Sequence, residues 1–335
     1  MRPYKERELL EIHLNISKIA PGLIKDVYII GAGASAHLGI PTGPELAEYI
    51  QNHPNELAKE ISERIQETGH LRVGEKAQEF VAMQCTELAR RLADAGSISI
   101  DEFLGSMEDD SMLEIAKLAI STVILNSQLN AIENGLVKRR CWLGRVLHQT
   151  GMKPREILEK SAFLTFNYDV MIETKAIQVL LALTGMTGKA AAELIGERVT
   201  HLHGSVYPLL TEPHFRKGYD VPLDGPVVPK RYSGDLKKGA DSIRVIHESV
   251  GVDDLNVQLL MNAKRVFFLG FGFHRGNMRM LGYPHHWGTL AGSMYASAFD
   301  ADAQRIVKQY FRGADRINIG DVGEGCDSFL ARVLQ

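Results

Sequence analysis

The stretch "DVYIIGAGASAHLGIPTGPELAEYI", residues 26–50, decides the fold. Residues 27–30 form a short apolar run stopped by glycine, the pattern of a strand buried on both faces. Gly31 and Gly33 then permit a tight turn and close approach without Cβ interference. "PELAEYI" (44–50) follows at helical spacing. Strand, glycine turn and helix together open a parallel α/β unit. Amides at such a helix start can face a phosphate, helped by the positive end of the helix dipole. A GxGxxG fingerprint is not completed, because position 36 is Ala. No acidic residue closes a second short strand about 20 residues later, as a dehydrogenase would show. The loop reads as a phosphate site or a plain tight turn, and only weakly as a site of hydride transfer.

The same alternation continues along the chain. "AFLTF" (162–166), "RVTHLH" (198–203), "RVFFLGF" (265–271), "SMYASAF" (293–299) and "DRINIG" (315–320) are strand candidates, with helical segments such as "DDLNVQLLMNA" (253–263) and "DAQRIVKQYF" (302–311) between them. The expected fold class is α/β, a Rossmann-like doubly wound parallel sheet in one domain over 1–335. Residues 52–160 carry apolar positions at helical spacing and read as a large helical insertion between the first two strands. Residues 207–235 hold five prolines in a long irregular run, which suits a lid or binding segment.

At 335 residues and 45% apolar content, the chain can bury a sizeable core. A net charge of −3 supplies no global basic field for nucleic acid. Cys85, Cys141 and Cys326 are far apart and form no CxxC pair. That suits reduced thiols in the cytoplasm and argues against a disulfide framework or zinc ribbon. The first twenty residues are charged and periodic, unlike a signal peptide. No apolar stretch is expected to approach the ~18 residues of a membrane helix.

Three motifs occur in order at the ends of successive strand candidates: "GAGASAHLGIP" (31–41), "TFNYD" (165–169) and "HLHGS" (201–205). Together they resemble the sirtuin pattern of a Gly-Ala-Gly loop ending in Gly-Ile-Pro, a Thr-x-Asn-x-Asp segment and Leu-His-Gly. "SISIDEFL" (97–104) is similar to a stretch of bacterial sirtuin-like proteins, and "LGFGFHRGN" (269–277) looks like their later NAD-ribose turn. The resemblance spans 26–320 loosely, and the rest of the insertion carries no recognisable motif.

The resemblance implies NAD as a substrate whose nicotinamide–ribose bond is broken through an oxocarbenium-like transition state. Asn167 suits the ribose hydroxyls or an attacking water, since an amide both donates and accepts. Asp169 would hold the nicotinamide carboxamide, or else cap the helix beginning "VMIETKAI". His203 would act as the base, or else serve as a structural histidine bonded to a loop carbonyl. Gly31, Ala32, Gly33, Ser35, Pro41 and Thr42 fall on the expected NAD loop, and Gly270, Phe271 and Gly272 on the ribose turn. Ser35 also fits a helix cap, and Gly270 and Gly272 also fit a strand-end turn. Asn277 is a lesser candidate, and Asp101 reads as structural or capping.

His201 and His203 are expected to share a strand face, and an HxH pair can ligate a metal. No companion carboxylate or cysteine cluster accompanies them, so no metal is expected, and His201 reads as a core or cleft-wall residue. His274, His285 and His286 read as surface or lid residues.

Sirtuins that act on proteins continue from Gly-Ile-Pro into Phe-Arg and carry a four-cysteine zinc module after Leu-His-Gly. This chain continues Thr-Gly-Pro and has no cysteine between Cys141 and Cys326. It therefore looks like the bacterial sirtuin-like NAD hydrolases of anti-phage defence, in which water is the acceptor and NAD is depleted. The alternatives are an NAD-dependent deacylase or ADP-ribosyltransferase, and a non-catalytic nucleotide-binding module of a larger assembly. The resemblance also implies a homo-oligomer, with a partner ATPase or nucleic-acid-sensing protein, and neither direct nucleic-acid nor membrane binding.

Overall fold

The computed structural model describes residues 21–67, 75–96, 99–149, 151–206, 236–244, 254–285, 287, 290, 292–311 and 317–334. The expected lid at 207–235, the first twenty residues and His286 lie outside these. Six parallel strands form one sheet in the order β3-β2-β1-β4-β5-β6. They are β1 Asp26–Ile30, β2 Ser161–Thr165, β3 Val199–His201, β4 Arg265–Leu269, β5 Ser293–Ala296 and β6 Ile317–Ile319. All six strand candidates are present; β1 ends at Ile30 as expected, and the other five end earlier than their candidate segments, because the following residues turn into the loops at the carboxyl edge.

Cross-strand packing fixes the register. Tyr28 stacks between Phe163 of β2 and Phe267 of β4, with ring centroids 5.1 and 4.9 Å apart, and Phe267 stacks on Tyr295 of β5 at 4.8 Å. These residues are register partners, so one face of the sheet carries an aromatic row perpendicular to the strands. At the amino end, Arg265 donates two hydrogen bonds to the carboxylate of its register partner Asp26, at 2.8 and 2.6 Å. A one-residue slip would break both devices.

The helices are α1 Gly43–Asn52, α2 Pro54–Glu67, α3 Glu75–Ala95, α4 Ile100–Gly105, α5 Asp110–Glu133, α6 Trp142–Leu147, α7 Pro154–Glu159, α8 Met171–Thr184, α9 Gly188–Gly196, α10 Leu236–Ser242, α11 Asp254–Asn262, α12 Arg275–Met280, α13 Ala301–Tyr310 and α14 Cys326–Val333. The expected insertion at 52–160 divides in two. Helices α1 to α5 share a core of their own, joined by Leu236 and Ala240 of α10. Helices α6 and α7 instead cover the sheet beside α8, α9 and α14, because Trp142, Leu143, Val146 and Leu147 pack on the aromatic row. The separate helical layer thus ends before residue 141.

One expectation about membranes needs correction. Helix α5 is long and apolar enough to cross a bilayer by length and composition, with a mean hydropathy of 1.2 over its best window. Its polar residues include serine, threonine, asparagine and glutamine, which hide this in a reading by apolar runs. Within the fold 67% of that window is buried, and the helix forms the centre of the helical layer.

Candidate active site

In the order β3-β2-β1-β4-β5-β6 the direction of winding reverses between β1 and β4. In open α/β sheets, ligands bind outside the carboxyl ends of the strands at such a switch point. The three sequence motifs leave β1, β2 and β3, three neighbouring strands, at this edge, and the loop 270–274 leaves β4 beside them.

The loop after β1 differs from the expected phosphate cradle. It consists of two single 3-10 turns, Ala32–Ala34 and Ala36–Leu38, and no α-helix begins before Gly43. The Gly31 N–H donates to Leu269 O, Gly33 N–H to Gly270 O, Ala34 N–H to Gly31 O and Ser35 N–H to Ala32 O. These four amides are therefore committed within the protein. The glycines serve contact between loops: a Cβ at Gly31 would lie 2.5 Å from Gly270 O, and one at Gly270 2.0 Å from Ala34 N. Ala32 is half-buried, and Gly33 and Gly272 are exposed at this edge. Phe271 is buried against Phe166, Phe268 and Phe273 and belongs to the core. Pro41 and Thr42 are half-buried. Thr42 caps α1 through a reciprocal arrangement with Glu45, whose carboxylate accepts from the Thr42 amide and hydroxyl at 2.8 and 2.7 Å.

The Ser35 side chain makes no helix-capping hydrogen bond. Its hydroxyl lies between the two polar residues of "TFNYD": Asn167 Nδ2–H donates to Ser35 Oγ at 3.2 Å, and Ser35 donates to Asp169 Oδ1 at 3.3 Å. The Met171 N–H donates to the same Asp169 oxygen at 3.0 Å, so the carboxylate also satisfies the first amide of α8. Burial raises the Asp169 carboxyl above the usual range, opposed by the Met171 amide, the Ser35 hydroxyl and His201. The capping reading of Asp169 is thus observed, through the same oxygen that accepts from Ser35.

The two histidines of "HLHGS" do not share a strand face. Strand β3 ends at His201, and the chain then turns through Gly204, which has φ 72° and where a Cβ would lie 1.8 Å from Ser242 O. His201 points to Asn167 O at 2.9 Å and Glu173 Oε1 at 2.7 Å. Both oxygens only accept, so both ring nitrogens carry protons. Burial disfavours this imidazolium, but Glu173, the Asn167 carbonyl and Asp169 outweigh it and raise its pKa above the ordinary value. His201 is a buried wall residue, as expected, and the groups facing it favour its protonated form. No group of three or more metal-ligating side chains occurs among the described residues.

His203 is fully buried and lies against the rings of Phe166 and Tyr168, at centroid distances of 5.3 and 6.3 Å. Its Nε2–H donates to Asn277 Oδ1 at 3.0 Å. Behind this edge Glu173 Oε2 and Gln128 Nε2 are buried without a hydrogen-bond partner, and at the edge so are Asn167 Oδ1 and His203 Nδ1. The latter two belong to the residues that sequence reasoning placed at the centre of the chemistry. His274 and His285 are exposed, as expected.

The helical layer reaches the site through Tyr168, whose hydroxyl donates to Asp101 Oδ1 at 2.6 Å, and through Gln128, whose Oε1 accepts the Val170 N–H at 2.7 Å. Asp101 therefore anchors "TFNYD" from α4, a structural role that spacing alone leaves undefined. Sequence reasoning missed Glu173 and Gln128. The signal for Glu173 was a lone acid in the apolar helix "VMIETKAI", four residues after Asp169 and able to face a neighbouring histidine. No protein-family model matches the chain, and no curated protein matches it.

Proposed function

We propose that this chain hydrolyses NAD, with water as the acceptor, through a sirtuin-like Asn167/His203 site. The observation that carries the reading is the pair of unpartnered buried atoms, Asn167 Oδ1 and His203 Nδ1. Buried polar atoms are nearly always hydrogen-bonded, and exceptions concentrate where a ligand or reacting group completes them. Both atoms are acceptors, which suits a substrate presenting ribose hydroxyls and an attacking water.

In this reading Asn167 Oδ1 accepts from water or a ribose hydroxyl, while Ser35 holds the amide through Nδ2. His203 Nδ1 takes the proton released as the water oxygen bonds to the anomeric carbon. The nicotinamide–ribose bond breaks, and its electron pair leaves with nicotinamide, which departs neutral. Water contributes its hydroxyl to ADP-ribose and its proton to the histidine, which then returns it to solvent. In this reading Asp169 holds the nicotinamide carboxamide, as the resemblance implies. Phe166 and Tyr168 pack around His203 and keep stray water from it. The absence of cysteines from 142 to 325 supports water over an acyl-lysine acceptor, because it removes the zinc module of the protein deacylases.

Asn167, Asp169 and His203 are all buried, so substrate reaches them only when their cover opens. The test is incubation of the full chain with NAD, with nicotinamide and ADP-ribose both quantified. Equimolar products are expected. Asn167→Ala and His203→Ala should each lower the rate by about 10²-fold or more, the scale of a positioned acid–base group. Turnover that survives both substitutions refutes the site. NAD consumption only in the presence of an acylated peptide refutes water as the acceptor.

A further inference from the structure

We infer that Asn277 is a positioning residue, holding the His203 imidazole as its Nε2–H tautomer and leaving Nδ1 as the nitrogen that receives the proton. A neutral imidazole has one donor and one acceptor nitrogen, and the partner of one decides the state of the other. The amide oxygen of Asn277 only accepts, so at 3.0 Å it requires the proton on Nε2. Both side chains are buried, so water does not compete for this bond. Nδ1 is left as an acceptor with no partner.

The route by which Asn277 reaches His203 supports the assignment. β3 and β4 are not neighbours: β2 and β1 lie between them in the sheet. The chain after β4 passes through Gly270 at φ 56° and Phe273 at φ 53° before α12 delivers Asn277. Phe273 is the only non-glycine residue with positive φ among the described residues. A bulky side chain in that region is strained, and such strain persists where surrounding structure over-determines it. Here the Phe273 ring is pinned among Phe268, Phe271 and Phe311. The loop accepts an unfavourable backbone and returns towards the site, where the first turn of α12 meets His203. The Phe166 ring stands at 68° and the Tyr168 ring at 39° to the imidazole, and neither hydrogen-bonds to its nitrogens, so the hydrogen bond to Asn277 is what selects its tautomer.

That Nδ1 acts as the base rests on the NAD-hydrolase reading, whereas the tautomer does not. The test is two-bond nitrogen–proton correlation NMR on the full chain labelled with ¹⁵N-histidine. The His203 signals are those missing from His203→Gln. The wild type should carry the His203 proton on Nε2. Asn277→Leu, similar in size but without an acceptor, should give a mixture of both tautomers while the other histidine signals stay in place. Asn277→Asp, which keeps an acceptor oxygen, should keep Nε2 protonated. In NAD turnover, Asn277→Leu should lower kcat by about 10–10²-fold, part of what a positioned base contributes, with KM changed less than about threefold. Asn277→Asp should recover part of that loss. A wild-type proton on Nδ1, or an unchanged tautomer in Asn277→Leu, overturns the inference. A wild type with the Nε2 proton but no NAD cleavage overturns the hydrolase reading and leaves the tautomer assignment standing.

Discussion

Replacing Gly270 by alanine tests whether the glycines at the switch point exist for contact between loops. Gly270 has φ 56°, a conformation that costs an L-residue about 1–2 kcal/mol. The added Cβ would lie 2.0 Å from Ala34 N, 2.3 Å from Gly33 C and 2.7 Å from Gly33 Cα. These are backbone atoms, which cannot rotate away, so the β1 and β4 loops must part by more than about 1 Å to reach ordinary van der Waals contact. Overpacking of this kind costs about 1–3 kcal/mol. Parting the loops also weakens the Gly33 N–H to Gly270 O bond at 3.1 Å, worth about 1 kcal/mol net. The expected destabilisation is about 3–6 kcal/mol. Gly39 supplies the control, with φ 77° and nothing within 4 Å of its added Cβ, so Gly39→Ala should lose only the conformational part, about 1–2 kcal/mol. Gly33 has no positive φ and so carries no such conformational part; its Cβ would meet Gly270 Cα at 3.0 Å and Gly270 O at 3.1 Å, a tight contact that small shifts relieve. Urea denaturation of the three variants should show the largest loss for Gly270→Ala, which alone combines a positive φ with backbone contacts under 3.0 Å. If Gly270→Ala falls within about 0.5 kcal/mol of Gly39→Ala, the close approach is not what these glycines serve.

Two other perturbations probe the network behind the site. His201 faces the Glu173 carboxylate at 2.7 Å, which raises its folded-state pKa above the ordinary histidine value. Its contribution to stability is therefore fully present below pH ~6.5 and is lost as pH rises through the folded-state value. Denaturation midpoints from pH 6 upward should fall in the wild type and fall less steeply in Glu173→Gln; an equally steep fall in the variant would remove the pair as the cause. Tyr168→Phe deletes the donor to Asp101, a hydrogen bond to a charged group worth about 1.5–3 kcal/mol. Combined with Asp101→Asn in a double-mutant cycle, it should show a coupling of at least about 1 kcal/mol, and strict additivity would show that the helical layer does not tether "TFNYD" by this bond.

The strands were legible because each carries its signal locally. A run such as "RVFFL" is apolar, short and stopped by glycine, and in a parallel sheet covered on both faces those properties suffice to mark it. The ordered motifs were legible for the same reason, as each sits at the carboxyl end of its own strand. The boundary of the helical layer was not. Trp142 and Val146 have the same helical spacing as Ile120 and Ile124, yet the first pair covers the sheet and the second fills the layer. Periodicity identifies the face that is buried, not the partner that buries it.

For the candidate site, the sequence determined which residue types stand at the strand ends: an asparagine, an aspartate, a histidine before glycine, and a glycine loop. Tertiary structure decided what each of them does. Ser35 meets Asn167 across 132 residues of chain, His203 meets Asn277 across 74, and His201 reaches Glu173 across 28. The tautomer of one histidine and the charge of the other depend on these partners, because an imidazole takes its state from the groups facing its two nitrogens. The glycines follow the same logic. That a turn needs no Cβ is written in the chain, but whether the vacant space belongs to a ligand or to the neighbouring loop depends on which strand lies alongside.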